Sequence, residues 1–458
     1  MNYRLHSPRH FAAAALMLLL ITFPTQFVQA EAAKQEPVAN FVLDNGMEVV
    51  VIPDHRGPIV THMVWYKVGS ADEQPGKSGI AHFFEHLMFK GTKNHPSGEL
   101  DAMVSSIGGE LNAFTTYDYT AYHETVPPKA LPTMMALEAD RMRNLIIDDA
   151  VVATEREVIM EERRSRIDGD PQALLSEEVQ PTLYRNHPYR QPVIGWMHEI
   201  EQLNSADAKA FYDRYYRPNN AVLVVAGDVT AESVRAMAEA TYGKLERGED
   251  LPPRVRPSEP PNDASRAVKM SDARVGIPSF GKYWLTPSRR TGDPGEAEAL
   301  ELLAEILGGG ARSRLYQNLV VKDPVAAATG SQYDGDMLDE TSFVVYGAPR
   351  SPEGLGDLEQ RVESEIARIR RDGVSAEELE RAKNRLVRST VFAQDKPSRL
   401  AHIYGTALAT GATVEDVQEW PERIRAVTAA KVQSTALKYL DPQRMVTSYL
   451  LPAAETPN

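Results

Sequence analysis

The sequence predicts an α+β protein made of two similar halves. Turn-bounded apolar runs alternate with helical patterns on both sides of a charged, proline-rich stretch at 246–271. The pattern Tyr215-x-x-Pro218-x-x-x-Val222 recurs as Tyr439-x-x-Pro442-x-x-x-Val446. Each copy follows a predicted helix and opens a predicted strand, so each half is expected to close its sheet in the same way. The expected division is 1–30 as a signal peptide, 31–245 as a first domain, 246–271 as a linker and 272–458 as a second domain.

Composition narrows the function classes. The chain of 458 residues has 42% hydrophobic content, enough for sizeable cores, and a formal charge of −14 without a basic cluster, which argues against nucleic-acid binding. It has no cysteine, which excludes disulfides, thiolate metal sites and cysteine nucleophiles. Arg4 and Arg9, the short apolar core Phe11–Phe23 and Val28-Gln29-Ala30 read as a secretory signal cleaved after Ala30. That core is too short for a comfortable transmembrane helix, so no stable membrane insertion is expected, and the expected location is the periplasm.

Phe41–Leu43 and Met47–Ile52 flank Asn45-Gly46 and predict a hairpin. A strand is expected over His62–Val68. Ile80–Phe89 (IAHFFEHLMF) follows a glycine-containing loop and is apolar on nearly every side, which predicts a buried helix. Within it His82 and His86 lie one turn apart on one face, where two imidazoles can grip one ion, and Glu85 stands about 60° away from His82. Burying these groups without a partner would be costly.

Ser97 is expected to cap a helix ending at Gly108-Gly109, Glu110–Val126 to be extended, and Pro128–Asn144 to be helical. Asp148 opens a helix over Asp149–Arg166 in which Val151, Val152, Val158 and Ile159 form one apolar stripe. Glu155 and Glu162 fall inside that stripe, two turns apart, whereas Glu157 and Glu161 point away with the arginines. Carboxylates in a core-facing stripe need a cation or a donor, and the paired histidines lack a third ligand. The two helices therefore fit each other. Further on, Leu203–Tyr216 and Thr230–Tyr242 read as helices around the central strand Ala221–Ala226. Beyond the proline-rich stretch, helices are expected at Glu296–Leu307, Leu355–Arg371 and Ala376–Thr390, with strands near Ala326–Tyr333 and Ser342–Ala348.

With His82-x-x-Glu85-His86 followed at family spacing by Glu155-x6-Glu162, the chain resembles the pitrilysin-like (M16) zinc peptidases, in particular the small two-domain bacterial, processing-peptidase-like members. Phe89-Lys90-Gly91-Thr92, Asn112-Ala113-Phe114-Thr115 and Ser313-Arg314-Leu315-Tyr316 agree with it. The resemblance implies two homologous α+β domains, each a mainly antiparallel sheet packed with helices, forming one half-shell of a clamshell chamber. It implies one Zn2+ per chain on His82, His86 and Glu162, with Glu85 as general base and Glu155 steadying a histidine. It also implies that Asn112, Ala113, Phe114 and Thr115 are the strand on which a small or unfolded peptide lies. The family's Arg-x6-Tyr pair is missing, because Val320 and Ala327 occupy those positions. The expectation is therefore a metal-bearing subunit that needs a homologous partner supplying the pair. The alternatives are a self-sufficient homodimer and a non-catalytic scaffold or chaperone.

Overall fold

The computed structural model describes residues 36–453 apart from residue 394. The expected signal segment 1–30 lies outside the described residues. Strands β1 (Ala39–Val42) and β2 (Glu48–Pro53) pair antiparallel across the Asn45-Gly46 turn, and Gly46 takes the left-handed conformation (φ 89°) that such turns favour. With β3 (Val60–Tyr66), β4 (Glu110–Thr115), β5 (Thr120–Val126) and β6 (Ala221–Gly227) they form a sheet in the order β1-β2-β6-β3-β5-β4. A second sheet, β7 (Arg266–Asp272), β8 (Ser279–Thr286), β9 (Ala326–Tyr333), β10 (Thr341–Pro349) and β11 (Met445–Pro452), has the order β7-β11-β8-β10-β9.

With the edge strand β1 left out, the two orders are one topology. β2∥β6 in the first sheet matches β7∥β11 in the second, and every other pairing is antiparallel. The repeated Tyr-x-x-Pro pattern sits at equivalent places. Helices end at Tyr215 and Tyr439, turns follow at Pro218 and Pro442, and β6 and β11 then enter their sheets. The repeat is structural, and the chain has two α+β lobes.

Several local expectations change. Glu110–Val126 is a hairpin of two strands, because residues 116–119 turn, with Thr116 bonded to Tyr119. Ser97 does not cap the next helix; Gly98 does, at φ 84°. The proline-rich stretch gives way to strand β7 at Arg266. Before that point Arg256 bridges Asp118, Asp339 and Asp72 at 2.5, 2.9 and 2.9 Å, so the stretch is pinned at the junction of the lobes.

Helices α1 (Ile80–Leu87), α2 (Glu99–Ser106), α3 (Leu131–Asn144), α4 (Asp149–Arg163) and α5 (Pro171–Leu183) belong to the first half of the sequence. α1 and α3 pack with others on one face of the first sheet. Its other face is covered by helix Pro397–Ala409 from the second half: Val50, Met63, Trp65, Val222 and Val224 pack against Ala401, Tyr404 and Leu408. A Cβ on Gly405 would lie 2.0 Å from the Trp65 ring, so this contact needs glycine. The exchange is reciprocal, because Leu175, Val179 and Leu183 of α5 pack on Val446 and Leu450 of the second sheet. Covering both faces explains the apolar runs of β2 and β6 and the burial of β3 along its whole length. Neither α5 nor helix Pro397–Ala409 is signalled by the sequence patterns above.

Candidate metal centre

α1 starts without a capping side chain at its own N-terminus. Its orphan N–H groups are satisfied from a distance: Gly79 and Ala81 donate to the two Glu73 carboxylate oxygens at 2.9 Å each. Ser78 N–H donates to Glu199 at 2.7 Å. Gly79 (φ 86°) and Gly195 (φ 90°) face each other so closely that a Cβ on Gly79 would meet the Ile194 carbonyl at 2.4 Å. Phe83, Phe84 and Leu87 bury the back of the helix completely. The front carries His82, Glu85 and His86.

α4 crosses that front. Glu162 Oε2 lies 3.2 Å from His86 Nε2 and 3.7 Å from His82 Nε2. One donor atom from each of the three residues can be chosen so that all lie within 4.8 Å of one another. Glu155, fully in the core-facing stripe, accepts from His86 Nδ1 at 2.9 Å and is itself gripped by Lys90 at 2.6 Å. The Thr115 hydroxyl donates to Glu85 Oε2 at 2.5 Å. Arg166 pairs with the other Glu162 oxygen at 2.6 Å.

The stripe on α4 is narrower than its sequence suggests. Val152, Glu155 and Ile159 are buried, but Val158 is 45% exposed, because the flank it occupies opens onto the cavity in front of α1 instead of the core. Glu157 and Glu161 are exposed, as their spacing requires, whereas Arg163 is buried against Glu177 and the Gly195 carbonyl. The helix also becomes π-helical over Arg164–Asp168.

A metal fits these residues. Glu162 Oε2 is buried without a hydrogen-bond donor although two imidazole nitrogens point at it. Burial together with the neighbouring His86 lowers His82 to about 4, which keeps its imidazole neutral and able to ligate. Burial also works against charge on His86, yet the hydrogen bond to Glu155 and the nearby Glu162 carboxylate outweigh it and raise the group to about 9. Those two carboxylates thus favour positive charge where a cation would sit. Burial pushes the Glu85 carboxyl upwards. The donor set of two imidazoles and one carboxylate suits zinc and leaves a coordination position open.

The cavity in front of α1, about 520 Å3, is lined by His82, Glu85, His86, Asn112, Ala113 and Glu162 among others. β4 is the edge strand of its sheet, paired only with β5 among the described residues. Of the four residues expected on the peptide-binding strand, Asn112 and Ala113 line the cavity and Thr115 holds Glu85. Phe114 turns to Trp65 and His402, with ring centroids 5.3 and 5.1 Å away. Val320 is half-buried against the second core and Ala327 is exposed, and neither side chain can donate. The Tyr333 hydroxyl is committed to the Pro287 carbonyl at 2.7 Å.

Two α+β lobes with an inverted His-x-x-Glu-His helix facing a distant glutamate define a zinc metalloendopeptidase. The family models for "Insulinase (Peptidase family M16)" and "Peptidase M16 inactive domain" match residues 48–196 and 202–386. The chain is 30% identical over 371 residues to a zinc protease of Rickettsia bellii, covering 81% of this chain and 87% of that one. It is 28% identical to the zinc protease PqqE of Helicobacter pylori over 97% of this chain and all of that one. A crystal structure of a protease from Helicobacter pylori superposes with a TM-score of 0.85 at 27% identity, over 92% of this chain and 100% of that chain. The periplasmic protease PqqL of Escherichia coli shares the fold at 22% identity and a TM-score of 0.78, over 91% of this chain and 48% of that chain. The chain belongs to peptidase family M16, and its two lobes are the two-domain clamshell architecture of that family.

Glu73, Glu199, Lys90 and Arg166 are the residues of this centre that sequence reasoning missed. Glu199 reaches the start of α1 from 121 residues away and leaves no local signal, whereas Glu73 lies only 6 and 8 residues before the N–H groups it accepts from. Lys90 and Arg166 lie four residues beyond His86 and Glu162, a helical spacing that could have flagged them.

Proposed function

We propose that this chain is the metal-bearing subunit of an exported zinc endopeptidase acting on small or unfolded peptides. The carrying observation is the unsatisfied Glu162 Oε2 facing both histidines. On this reading His82, His86 and Glu162 hold one zinc ion per chain, and Glu155 fixes the His86 ring through Nδ1. Zinc bound there would supply Lewis acidity and lower the pKa of a coordinated water towards about 7. Glu85 takes the proton and later delivers it to the leaving amine. Thr115 holds one Glu85 oxygen in place, leaving the other to carry that proton. The peptide lies extended along the free edge of β4, held by backbone bonds at Asn112–Thr115 beside the histidines.

On this reading 31–245 is the zinc-binding domain, 246–271 the linker and 272–458 the second domain, although β7, which starts at Arg266, already belongs to the second sheet. A leader cleaved after Ala30 and a periplasmic location follow from the N-terminal pattern, and the relative named as periplasmic agrees. Among the described residues no helix is long and apolar enough to cross a membrane.

Val320 and Ala327 leave the developing oxyanion without side-chain donors from this chain's second lobe. One such donor is worth roughly 10²–10³ in rate. The working enzyme is therefore a heterodimer whose partner brings Arg-x6-Tyr. The purified chain should bind zinc yet cleave peptides slowly, and adding the homologous subunit should raise the rate at least about 10²-fold. Full activity of the chain alone, unchanged by any such subunit, would refute the heterodimer.

A further inference from the structure

We propose that Arg166 is a specificity-determining residue of this site, taking a carboxylate of the peptide next to the scissile bond; this rests on the peptidase reading above. Arg166 lies in the π-helical turn Arg164–Asp168 that continues α4. Such turns displace side chains from regular helical positions and recur at functional sites. Its Nη1 is 2.6 Å from Glu162 Oε1, the oxygen turned away from the histidines. The guanidinium is thereby anchored one carboxylate away from the metal donors.

Anchoring uses little of its capacity. A guanidinium has five N–H donors in a planar fork that matches a carboxylate, and this side chain is 72% exposed. Arg166 lines the cavity of about 520 Å3 in front of α1 together with His82, Glu85, Asn112 and Ala113. Lys90, the other cation of that lining, is already held by Glu155 at 2.6 Å. Arg166 also lines an adjoining cavity of about 670 Å3, and the exposed Val158 lies in both linings. A peptide passing the histidines along β4 meets this cation with N–H groups to spare.

The neighbouring charges fix the side on which an anion fits. Glu157 and Glu161 line the adjoining cavity and repel a carboxylate there. In the cavity in front of α1, Glu155 is neutralised by Lys90, Glu85 is held by Thr115, and a zinc ion on the histidines would offset the remaining charge. The favourable place is on the metal side of Arg166, against the residues flanking the scissile bond. A purely structural Arg166, holding Glu162 and nothing more, would make no distinction between glutamate and glutamine in a peptide.

The experiment measures binding, so that it stands apart from catalysis. The full chain carrying Glu85→Gln is loaded with zinc and titrated with short fluorescent peptides. In these a single glutamate walks along an otherwise neutral sequence, against the all-glutamine parent. Glutamate at one or two positions should tighten binding about tenfold. Adding Arg166→Gln should erase the preference at unchanged zinc content, and adding Arg166→Glu should transfer it to a lysine walk. Equal binding of all peptides overturns the proposal, as does a glutamate preference that survives Arg166→Gln. Loss of the preference only together with loss of zinc overturns it too. Charge-selective binding with no hydrolysis by the native chain, alone or with a homologous subunit, would sink the peptidase reading and leave Arg166 as a carboxylate-binding residue of a peptide site.

Discussion

The two lobes share one strand order, yet their helices carry opposite kinds of charge cluster. In the first lobe, α1 follows β3 and presents His82, Glu85 and His86 to α4, leaving Glu162 Oε2 and His82 Nδ1 without hydrogen-bond partners. In the second, helix Glu296–Gly308 follows β8 and presents Glu298, Glu301 and Glu305. Each of these carboxylates meets an arginine: Arg423 and Glu298 at 2.9 Å, Arg289 and Glu301, and Arg385 and Glu305. Glu301 also accepts from Trp420 Nε1 at 3.0 Å. A cluster whose carboxylates all meet arginines holds a lobe together, even though Arg289 Nη1 is left without a hydrogen bond. One that leaves aimed donors unsatisfied is complete only with something else bound.

That contrast can be broken most sharply at the ligands. His82→Ala, His86→Ala or Glu162→Gln should bring zinc content close to zero and abolish peptide cleavage, measured by metal analysis and a peptidase assay. Loss of zinc in Glu161→Gln instead would mean that α4 faces the other way. Glu85→Gln should keep its zinc and lose roughly 10²–10⁴ in rate, and an active variant would remove Glu85 from the chemistry. Glu155→Gln, which weakens the hold on the His86 ring, should cost about 10–100-fold in zinc affinity or rate. The matching change in the second lobe, Glu301→Ala, should leave zinc content and specific activity untouched. It should lower stability by about 1–3 kcal/mol, since Arg289 and Trp420 lose a buried acceptor; an altered zinc content would erase the distinction between the lobes.

The smallest effect concerns pH and again separates the lobes. Hydrogen bonds from Arg314 hold the Glu378 carboxyl at about 2, below the usual 4.5. A carboxylate depressed on folding adds stability that is complete above the unfolded value and is lost as pH falls from about 4.5 towards about 2. Wild type should therefore exceed Glu378→Gln by about 1–2 kcal/mol in denaturant unfolding at pH 6, the gap closing on acidification. A gap that persists undiminished near pH 2 would show that the pair contributes by packing alone. The same pair explains Ser313-Arg314-Leu315-Tyr316 as structural in this chain, since Arg314 also reaches the Gly373 carbonyl at 3.1 Å.

Much of the metal centre was legible in the sequence because its grammar is local. Histidines four apart on a helix share a face whatever surrounds them, and glutamates seven apart in an apolar stripe demand a partner. The same logic placed most strands and helices, and the Tyr-x-x-Pro repeat points to two similar halves because it falls where a helix hands over to the sheet in each. It failed at Val158, where the stripe's edge meets a cavity.

What only the tertiary structure decided depends on chain path over long separations. That Glu199 accepts from Ser78 just ahead of α1 is set by where distant loops close, and local spacing holds no record of it. The exchange of α5 and helix Pro397–Ala409 between the lobes is of the same kind: an amphipathic helix shows which face it buries but not which sheet receives it. The position of Arg166 over the cavity combines both, a helical spacing from Glu162 and a π-helical turn that appears only once the chain is folded. Period determines faces, and the packing of distant segments determines what those faces meet.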